Sequence, residues 1–347
     1  MQASSSPETK GKKVPYKTVL FILSCVLVLS FFLAIVSGRY GLSIGEVVRV
    51  FLSRIFPITP TWENMVETVV FRIRLPRVLA AMLIGASLAT AGATYQGLFR
   101  NPLVSPDFLG VTSGASVGAA FAIVMGYPTL MIQAFAFTGG ITATLLTTTI
   151  PKLLRNPSNT MLVLSGVVVS GFLRSIMSIM RYVADPQTAL ASIVYWQMGS
   201  LASISTSDVT IVSLPMLISL TVVIGISWWI NIMSLGEVQS TLLGVNFKLY
   251  RSIGIVCATI LAVCSVSIAG EIGWVGLAIP HLSRLLVGVD NKKLIPVCIL
   301  TGAIFILVVD TLARNLIAAE IPISILTGII GAPFFISLLY KQKNRLQ

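Results

Sequence analysis

The chain has 347 residues, of which 55% are hydrophobic and only 10% are charged. Soluble domains carry about 25% charged residues. Long uncharged apolar stretches recur along the whole chain, so the composition excludes a soluble globular protein and indicates an all-α polytopic membrane protein. The formal net charge of +12 is explained by basic cytoplasmic loops and gives no reason to expect a nucleic-acid partner.

In chain order, residues 1–17 are predicted to form a cytoplasmic tail, 18–340 a single transmembrane domain and 341–347 a second cytoplasmic tail. Two connections are long: 38–77, the longest segment outside the membrane, and 182–208, a partly helical external segment. Ten apolar stretches predict ten transmembrane helices, at about 18–37, 78–98, 108–126, 130–150, 160–180, 209–230, 252–270, 275–289, 295–312 and 323–340.

The basic residues predict the orientation of these helices. With both termini inside, 14 of the 24 lysines and arginines fall on the inner side, including every lysine, and 9 fall on the outer side. An excess of basic residues marks cytoplasmic loops. Both termini are therefore expected in the cytoplasm.

The stretch 71–118 organises the chain. It carries small residues at every fourth position, Gly85, Ala89, Ala93 and Gly97, which lie on one helix face and let membrane helices approach closely. We expect a central packing helix there. The alternative is an ordinary span whose flanking arginines reach the interface.

All basic residues on the predicted outer side are arginines, and six of the nine lie between 39 and 77. An arginine fork matches a carboxylate in a way that lysine does not, so this cluster suggests a docking surface for an acidic partner. Lipid-headgroup anchoring is an equal alternative for Arg39, Arg49 and Arg54. Asp310 and Arg314 are four apart and can pair on one helix.

The segment 231–251 on the inner side is too polar to span and too regular to be a loose loop. Two short amphipathic pieces meet at Gly236 and Glu237, and Gly244 provides a second helix stop. Such a segment either lies on the membrane or docks into a groove of another protein.

The segment 270–288 combines glycines, Pro280, His281 and Arg284 at membrane depth, where broken helices line cavities or are buried in protein. His281 is the only histidine, and no second ligand lies nearby, so we interpret it as a packed residue. Arg284 lies near the inner interface and can reach it. The four cysteines lie in apolar stretches and are interpreted as small hydrophobic residues, so no metal site is predicted.

Four stretches carry a family resemblance: RLPRVLAAMLIGASLATAGATYQGLFRNPLVSPDFLGVTSGASVG, SLGEVQSTLLGV, GWVGLAIPHLSR and ARNLIAAEIPISILTGIIGAPFF. Together they resemble, over about residues 60–340 and in the same order, the permease subunits of ATP-binding-cassette (ABC) importers for iron–siderophores, haem and cobalamin. These are the type II importers.

The resemblance implies a multi-pass protein of a prokaryotic cytoplasmic membrane, in contact with lipids, with ten helices per subunit. It implies a dimer of permeases, most simply two identical chains although a sister chain is an alternative, with two ATPase subunits beneath and a soluble substrate-binding protein on top. It further implies that binding-protein carboxylates dock on Arg74, Arg77 and Arg314, and that inner coupling helices at 231–247 contact the ATPases. The coupling residues expected from it are Asn231, Leu235, Gly236, Glu237, Leu242 and Gly244.

The resemblance also implies that the fifth and tenth helices line the pathway, and that helices two to five and seven to ten form an inverted repeat, which places a substrate path at its interface. The weakly polar residues that these two helices offer are a guess at the lining. They are Ser165, Ser170, Ser175, Met177, Ser324 and Thr327.

The sequence has no GxxxxGK[ST] phosphate loop. We therefore expect a transporter subunit that is not an enzyme, binds no cofactor itself and depends on ATP and magnesium held by the partner ATPase. The expected cargo is an iron(III)–siderophore chelate, with haem and cobalamin as alternatives. A rival of another class is an autonomous ion-coupled carrier, which needs ionisable pairs in the membrane; of the acidic residues only Asp310 is expected within a span.

Overall fold

The computed structural model describes residues 14–57, 59–156, 158–317 and 319–346, without the side chains of 338, 339 and 341–346. Residues 1–13 of the predicted amino-terminal tail and residue 347 of the predicted carboxy-terminal tail lie outside the described residues. Within the described ranges the secondary structure is entirely helical, as predicted.

The helices follow the predicted order. Seven described helices are long and apolar enough to cross a membrane, and three shorter apolar helices lie at predicted spans. The elements are α1 Tyr16–Val36, α2 Ile44–Leu52, α3 Asn64–Glu67, a π-helical segment Thr68–Arg74, α4 Leu75–Phe99, a 3₁₀ turn Pro106–Leu109, α5 Val111–Val124, α6 Thr129–Leu153, α7 Asn159–Val183, α8 Ala189–Met198, α9 Thr206–Met233, α10 Glu237–Leu242, α11 Phe247–Ala269, α12 Val275–Val287, α13 Asn291–Asn315 and α14 Ile323–Leu346.

Helix α4 lies at the centre of the molecule because its small residues admit other backbones. A Cβ on Gly85 would lie 2.0 Å from the carbonyl oxygen of Gly302 on α13, and one on Gly92 would lie 1.9 Å from that of Gly276 on α12. Any larger side chain would force these helices apart. The face of small residues therefore packs α4 closely against α12 and α13, as the sequence predicts.

One boundary differs from the prediction. The helix that contains α4 begins at Asn64 and runs without a break to Phe99, whereas the sequence predicted a span at about 78–98 and placed 38–77 in a segment outside the membrane. The π-helical segment within it carries Arg72 and Arg74 in its last turn. These arginines therefore lie on the helix itself, and its polar first turns extend beyond the apolar stretch from which the span was predicted.

The long connection after α1 contains a short amphipathic helix, α2. Ser43 accepts a hydrogen bond from the Glu46 backbone N–H, and the Glu46 carboxylate accepts one from the Ser43 backbone N–H, which completes a capping box. The backbone and hydroxyl hydrogen bonds from Ser43 hold the pKa of the Glu46 carboxyl below its usual range. This cap fixes the start of the helix, which packs Val47 and Val50 onto the core.

Helix lengths support the predicted inverted repeat. The set α4 to α7 has 25, 14, 25 and 25 residues, and the set α11 to α14 has 23, 13, 25 and 24. In both sets the second helix is the short one. The repeat itself, the count of ten spans and the position of the termini stay predictions.

Candidate functional site

At the end of the molecule predicted to face outward, Arg77 lies in a buried ionic cluster. Its Nε donates to both carboxylate oxygens of Asp310, at 2.9 and 3.2 Å. Its two terminal nitrogens donate to the carboxylate of Glu320, at 3.0 and 2.8 Å. Such two-pronged pairing is the strong form of the arginine–carboxylate contact. Glu320 is the exposed member, with 32% of its side chain accessible against 7% for Arg77.

Arg314 and Arg74 bind the carboxy-terminal end of α1. Arg314 forms an ion pair with Asp310 at 3.2 Å, as the spacing predicts, and donates to the carbonyl oxygen of Ala34 at 3.1 Å. Arg74 donates to the carbonyl oxygens of Ile35 and Val36 at 2.7 and 2.8 Å. The last carbonyls of a helix lack partners within the helix, and these two guanidinium groups provide them.

The structure thus brings the three predicted docking arginines together, although not at the surface. Arg74, Arg77 and Arg314 are 4%, 6% and 7% exposed. Their partners include the end of α1, Asp310 on α13 and Glu320 between α13 and α14. Their docking role stays a prediction.

On the inner side, the predicted break in the segment 231–247 is present. Gly236 has φ +118° and precedes α10, and Gly244 has φ +78° shortly after it. Both backbone conformations favour glycine. The Ser240 hydroxyl donates to the carbonyl oxygen of Ile232 at 2.9 Å and holds α10 against the end of α9.

Apolar side chains cover the free surface of this segment and project from it. An amphipathic segment with an uncovered apolar side either lies on a membrane or fills a groove in a partner. The exposed members are Leu235, Val238, Leu242 and Leu243, at 55%, 68%, 82% and 61%.

Asn231 differs from the other predicted coupling residues because its side chain binds within the chain. Its Nδ2 donates to Asp290 at 2.7 Å, and its Oδ1 accepts from the backbone N–H and the Nδ2 of Asn291, both at 2.8 Å. The side chain of Asn231 therefore joins the end of α9 to the start of α13. Glu237 is exposed at the first turn of α10.

A cavity of about 500 Å³ lies between α7, the start of α5, α8 and the connection 270–273. Two charges on α7, Arg174 and Arg181, face two carboxylates, Asp107 and Glu271. The polar side chains of Thr112, Ser116 and Gln197 lie between them.

Of the six guessed pathway residues, Met177 lines this cavity. Ser165, Ser170 and Thr327 are buried, with exposed fractions of 3%, 7% and 0%. Ser175 donates to the carbonyl oxygen of Gly171, and Ser324 donates to that of Met198 on α8 at 2.6 Å.

The sequence analysis did not select the four charged residues at the cavity. Asp107 follows the break at Asn101 and Pro102, and Glu271 stands between two glycines. Both features indicate a break between two spans. They do not indicate that the segments containing Asp107 and Glu271 line the same cavity.

Comparison with known proteins gives a consistent result. Residues 26–341 match the model of the FecCD transport family. The chain is 38% identical over 329 residues to the molybdate import system permease protein MolB of Haemophilus influenzae, covering 95% of this chain and 97% of that protein. It is 40% identical over 281 residues to the "probable iron chelatin transport system permease protein" of Helicobacter pylori, covering 81% and 85%.

The fold matches a solved structure of an inward-facing metal-chelate-type ABC transporter, with a TM-score of 0.83, 38% identity and coverage of 94% of this chain and all of the other. These relatives are transport components and not enzymes. The resemblance inferred from the four sequence stretches is thereby confirmed, and the chain is a permease of the ABC importer type. It belongs to the FecCD transport family.

Proposed function

We propose that this permease imports an iron(III)–siderophore-type chelate by ATP-driven alternating access. The observation that carries the proposal is the segment 231–247, which is predicted to lie on the cytoplasmic side and in which the bend at Gly236 leaves Leu235 and Leu242 exposed. A segment of this kind fits a groove in a separate ATPase. When the ATPases close on ATP and magnesium, α10 moves with them, and α7 and α14 change which side of the pathway is open.

A second candidate cargo is a metal oxyanion. Two observations favour it: the relative in Haemophilus influenzae is named for molybdate, and Arg174 and Arg181 line the cavity. Haem and cobalamin are chelates of the same importer class and are the alternative cargoes.

Reconstitution tests the proposal directly. The permease, its cognate ATPase and its binding protein are placed in vesicles, and ATP-dependent accumulation of radioactive iron(III)–siderophore and of molybdate is compared. We expect accumulation of the siderophore chelate only with all three components. Accumulation by the permease alone without ATP supports the rival ion-coupled carrier and overturns the proposal.

We further propose that binding-protein docking proceeds by exchange at Arg77. Glu320 is the exposed partner of this arginine, whereas Asp310 is fully buried. A carboxylate of the binding protein that replaces Glu320 keeps Arg77 paired throughout, so a charge is never left buried and unpaired.

Two variants test the exchange. Arg77→Lys keeps the buried positive charge but removes the two-pronged fork, and is expected to weaken docking while basal ATPase activity persists. Glu320→Gln removes the internal competitor and is expected to tighten docking several-fold, measured by surface-immobilised permease titrated with binding protein. Unchanged or weaker docking of Glu320→Gln contradicts the exchange, and Arg72→Gln, on the same helix and exposed, is the control.

A further inference from the structure

The cavity beside α7 holds charges of both signs that differ in how they are satisfied. Asp107 accepts hydrogen bonds from the hydroxyls of Thr112 and Ser105. Glu271 accepts from the Ser116 hydroxyl, and from Gln197 Nε2 at 3.1 Å. Both carboxylates are therefore held by neutral donors supplied by the protein.

The two arginines have fewer hydrogen-bond partners than the two carboxylates. Arg181 donates to the Oε1 of Gln197. Within the described part of the chain, no hydrogen bond or ion pair engages the guanidinium of Arg174, although Arg174 and Asp107 interact electrostatically across the cavity. A guanidinium carries five N–H donors and no acceptor, and both side chains are exposed, so most of these donors are open to a ligand that enters the cavity.

The spacing of the two arginines also suits a ligand. They are seven residues apart on α7, which is two turns and a rise of about 10.5 Å, and they share a face with Met177 and Ser178 at the same cavity. The arginine fork matches the oxygen geometry of carboxylates and oxyanions.

We infer that Arg174, assisted by Arg181, forms an anion-binding subsite in this cavity, which takes the oxygen atoms of an anionic metal-bearing solute. The inference rests on the proposed transport function and specifies the chemistry of the cargo. The ligand chemistry is a carboxylate or oxyanion group, from either a carboxylate-bearing iron chelate or a metal oxyanion. Asp107 and Glu271 oppose the anion electrostatically, so it is held briefly and released.

Charge-selective labelling tests the subsite without knowledge of the natural cargo. Ser178→Cys places a thiol in the cavity of the full chain, in a background where all four native cysteines are alanine. The thiol is labelled in membranes with a negatively charged and a positively charged methanethiosulfonate reagent of similar size. The ratio of the two rates measures the preference for anions.

We expect Arg174→Gln with Arg181→Gln to lower this ratio about tenfold, the low end of the effect of charge focusing in clefts. Arg174→Lys keeps the charge and should leave the ratio near that of the parent, and Asp107→Asn should raise it. Ala202→Cys, in the exposed connection between α8 and α9, should show none of these changes. A ratio that does not respond to either arginine overturns the subsite.

Protection identifies the source of the anion. Millimolar molybdate or ferric citrate is added before the negative reagent, and the anion that slows labelling in the parent but not in the arginine variants is of the class the subsite takes. Protection by neither anion overturns the inference. Labelling requires neither ATP nor uptake, so a charge-selective cavity in a chain that fails to import in the reconstituted system contradicts the proposed function alone.

Discussion

Replacing Gly236 with proline tests whether the inner bend transmits movement of the ATPase. Gly236 has φ +118° and ψ 164°, whereas proline is fixed near φ −65°. Its N–H donates to the carbonyl oxygen of Met233 at 3.1 Å, and proline lacks that donor. The substitution therefore removes both the hydrogen bond and the direction in which α10 leaves α9.

The magnitude follows from the backbone. The lost hydrogen bond is worth about 1 kcal/mol, and a residue other than glycine in this backbone region costs about 1–3 kcal/mol. A combined cost of roughly 3 kcal/mol depopulates the native bend by about 100-fold, since each 1.4 kcal/mol is a factor of ten. Gly236→Ala keeps the N–H and the hydrogen bond to Met233, although its Cβ would lie 2.7 Å from the Gln239 side-chain oxygen, so it should produce a smaller effect than proline.

The assay measures ATP hydrolysis and solute accumulation in the same vesicles, which contain the permease, ATPase and binding protein. We expect Gly236→Pro to retain ATP hydrolysis while accumulation per ATP falls by about two orders of magnitude. Gly225→Ala is the matched control, because Gly225 lies within α9 and a Cβ there meets open space. Normal accumulation per ATP in Gly236→Pro would falsify the coupling assignment.

Two further predictions concern the fold around the sites. Asp310→Ala leaves buried guanidinium groups without their shared carboxylate and should destabilise the protein by about 3–5 kcal/mol, seen as an earlier thermal transition of the detergent-purified chain; an unchanged transition contradicts the structural role of the cluster. Gly85→Leu should abolish the folded, monodisperse protein, because its Cβ would lie 2.0 Å from a backbone carbonyl oxygen, whereas Gly171→Ala, with open space at its Cβ, should behave as the parent in size-exclusion chromatography.

The parts of the fold that the sequence predicts depend on local signals. Spans follow from runs of apolar residues, and the central helix follows from small residues four apart. The bend of the inner segment follows from Gly236 and Gly244, since both occupy backbone conformations that favour glycine. Each of these features is decided within a few residues of the chain, so no knowledge of the tertiary structure is needed.

The burial of the outer arginines could not be predicted in the same way. Arg77 and Glu320 are 243 positions apart in the sequence, and Arg74 lies 39 positions after Ile35, whose carbonyl oxygen it binds on α1. The charge of an arginine predicts that it binds a carboxylate or a carbonyl oxygen. It does not predict whether that partner lies in the same chain or in another. The spacing of Asp310 and Arg314 was informative because both lie on one helix.

The cavity shows the same limit for a binding site. In the sequence, Glu271 is a single acidic residue in a glycine-rich connection. Its place in the site depends on Ser116 and Gln197, which α5 and α8 bring within hydrogen-bonding distance of its carboxylate. A site assembled from three helices and the connection 270–273 has no sequence motif of its own, so its four charged residues could not be predicted from the sequence.

Helix α13 connects the two ends of the molecule that were predicted to contact partners. At its inner end Asn291 binds Asn231, next to the bend that carries α10. Toward its other end, 19 residues and about 28 Å away, Asp310 accepts hydrogen bonds from Arg77, which in turn donates to Glu320 just before α14. Because both contacts join α13 through buried or partly buried hydrogen bonds, a displacement of the inner segment strains the same rigid helix that positions the outer cluster and the start of α14. The segment predicted to contact an ATPase and the cluster predicted to dock a binding protein are therefore joined by a single packed helix, held toward both ends by polar side chains.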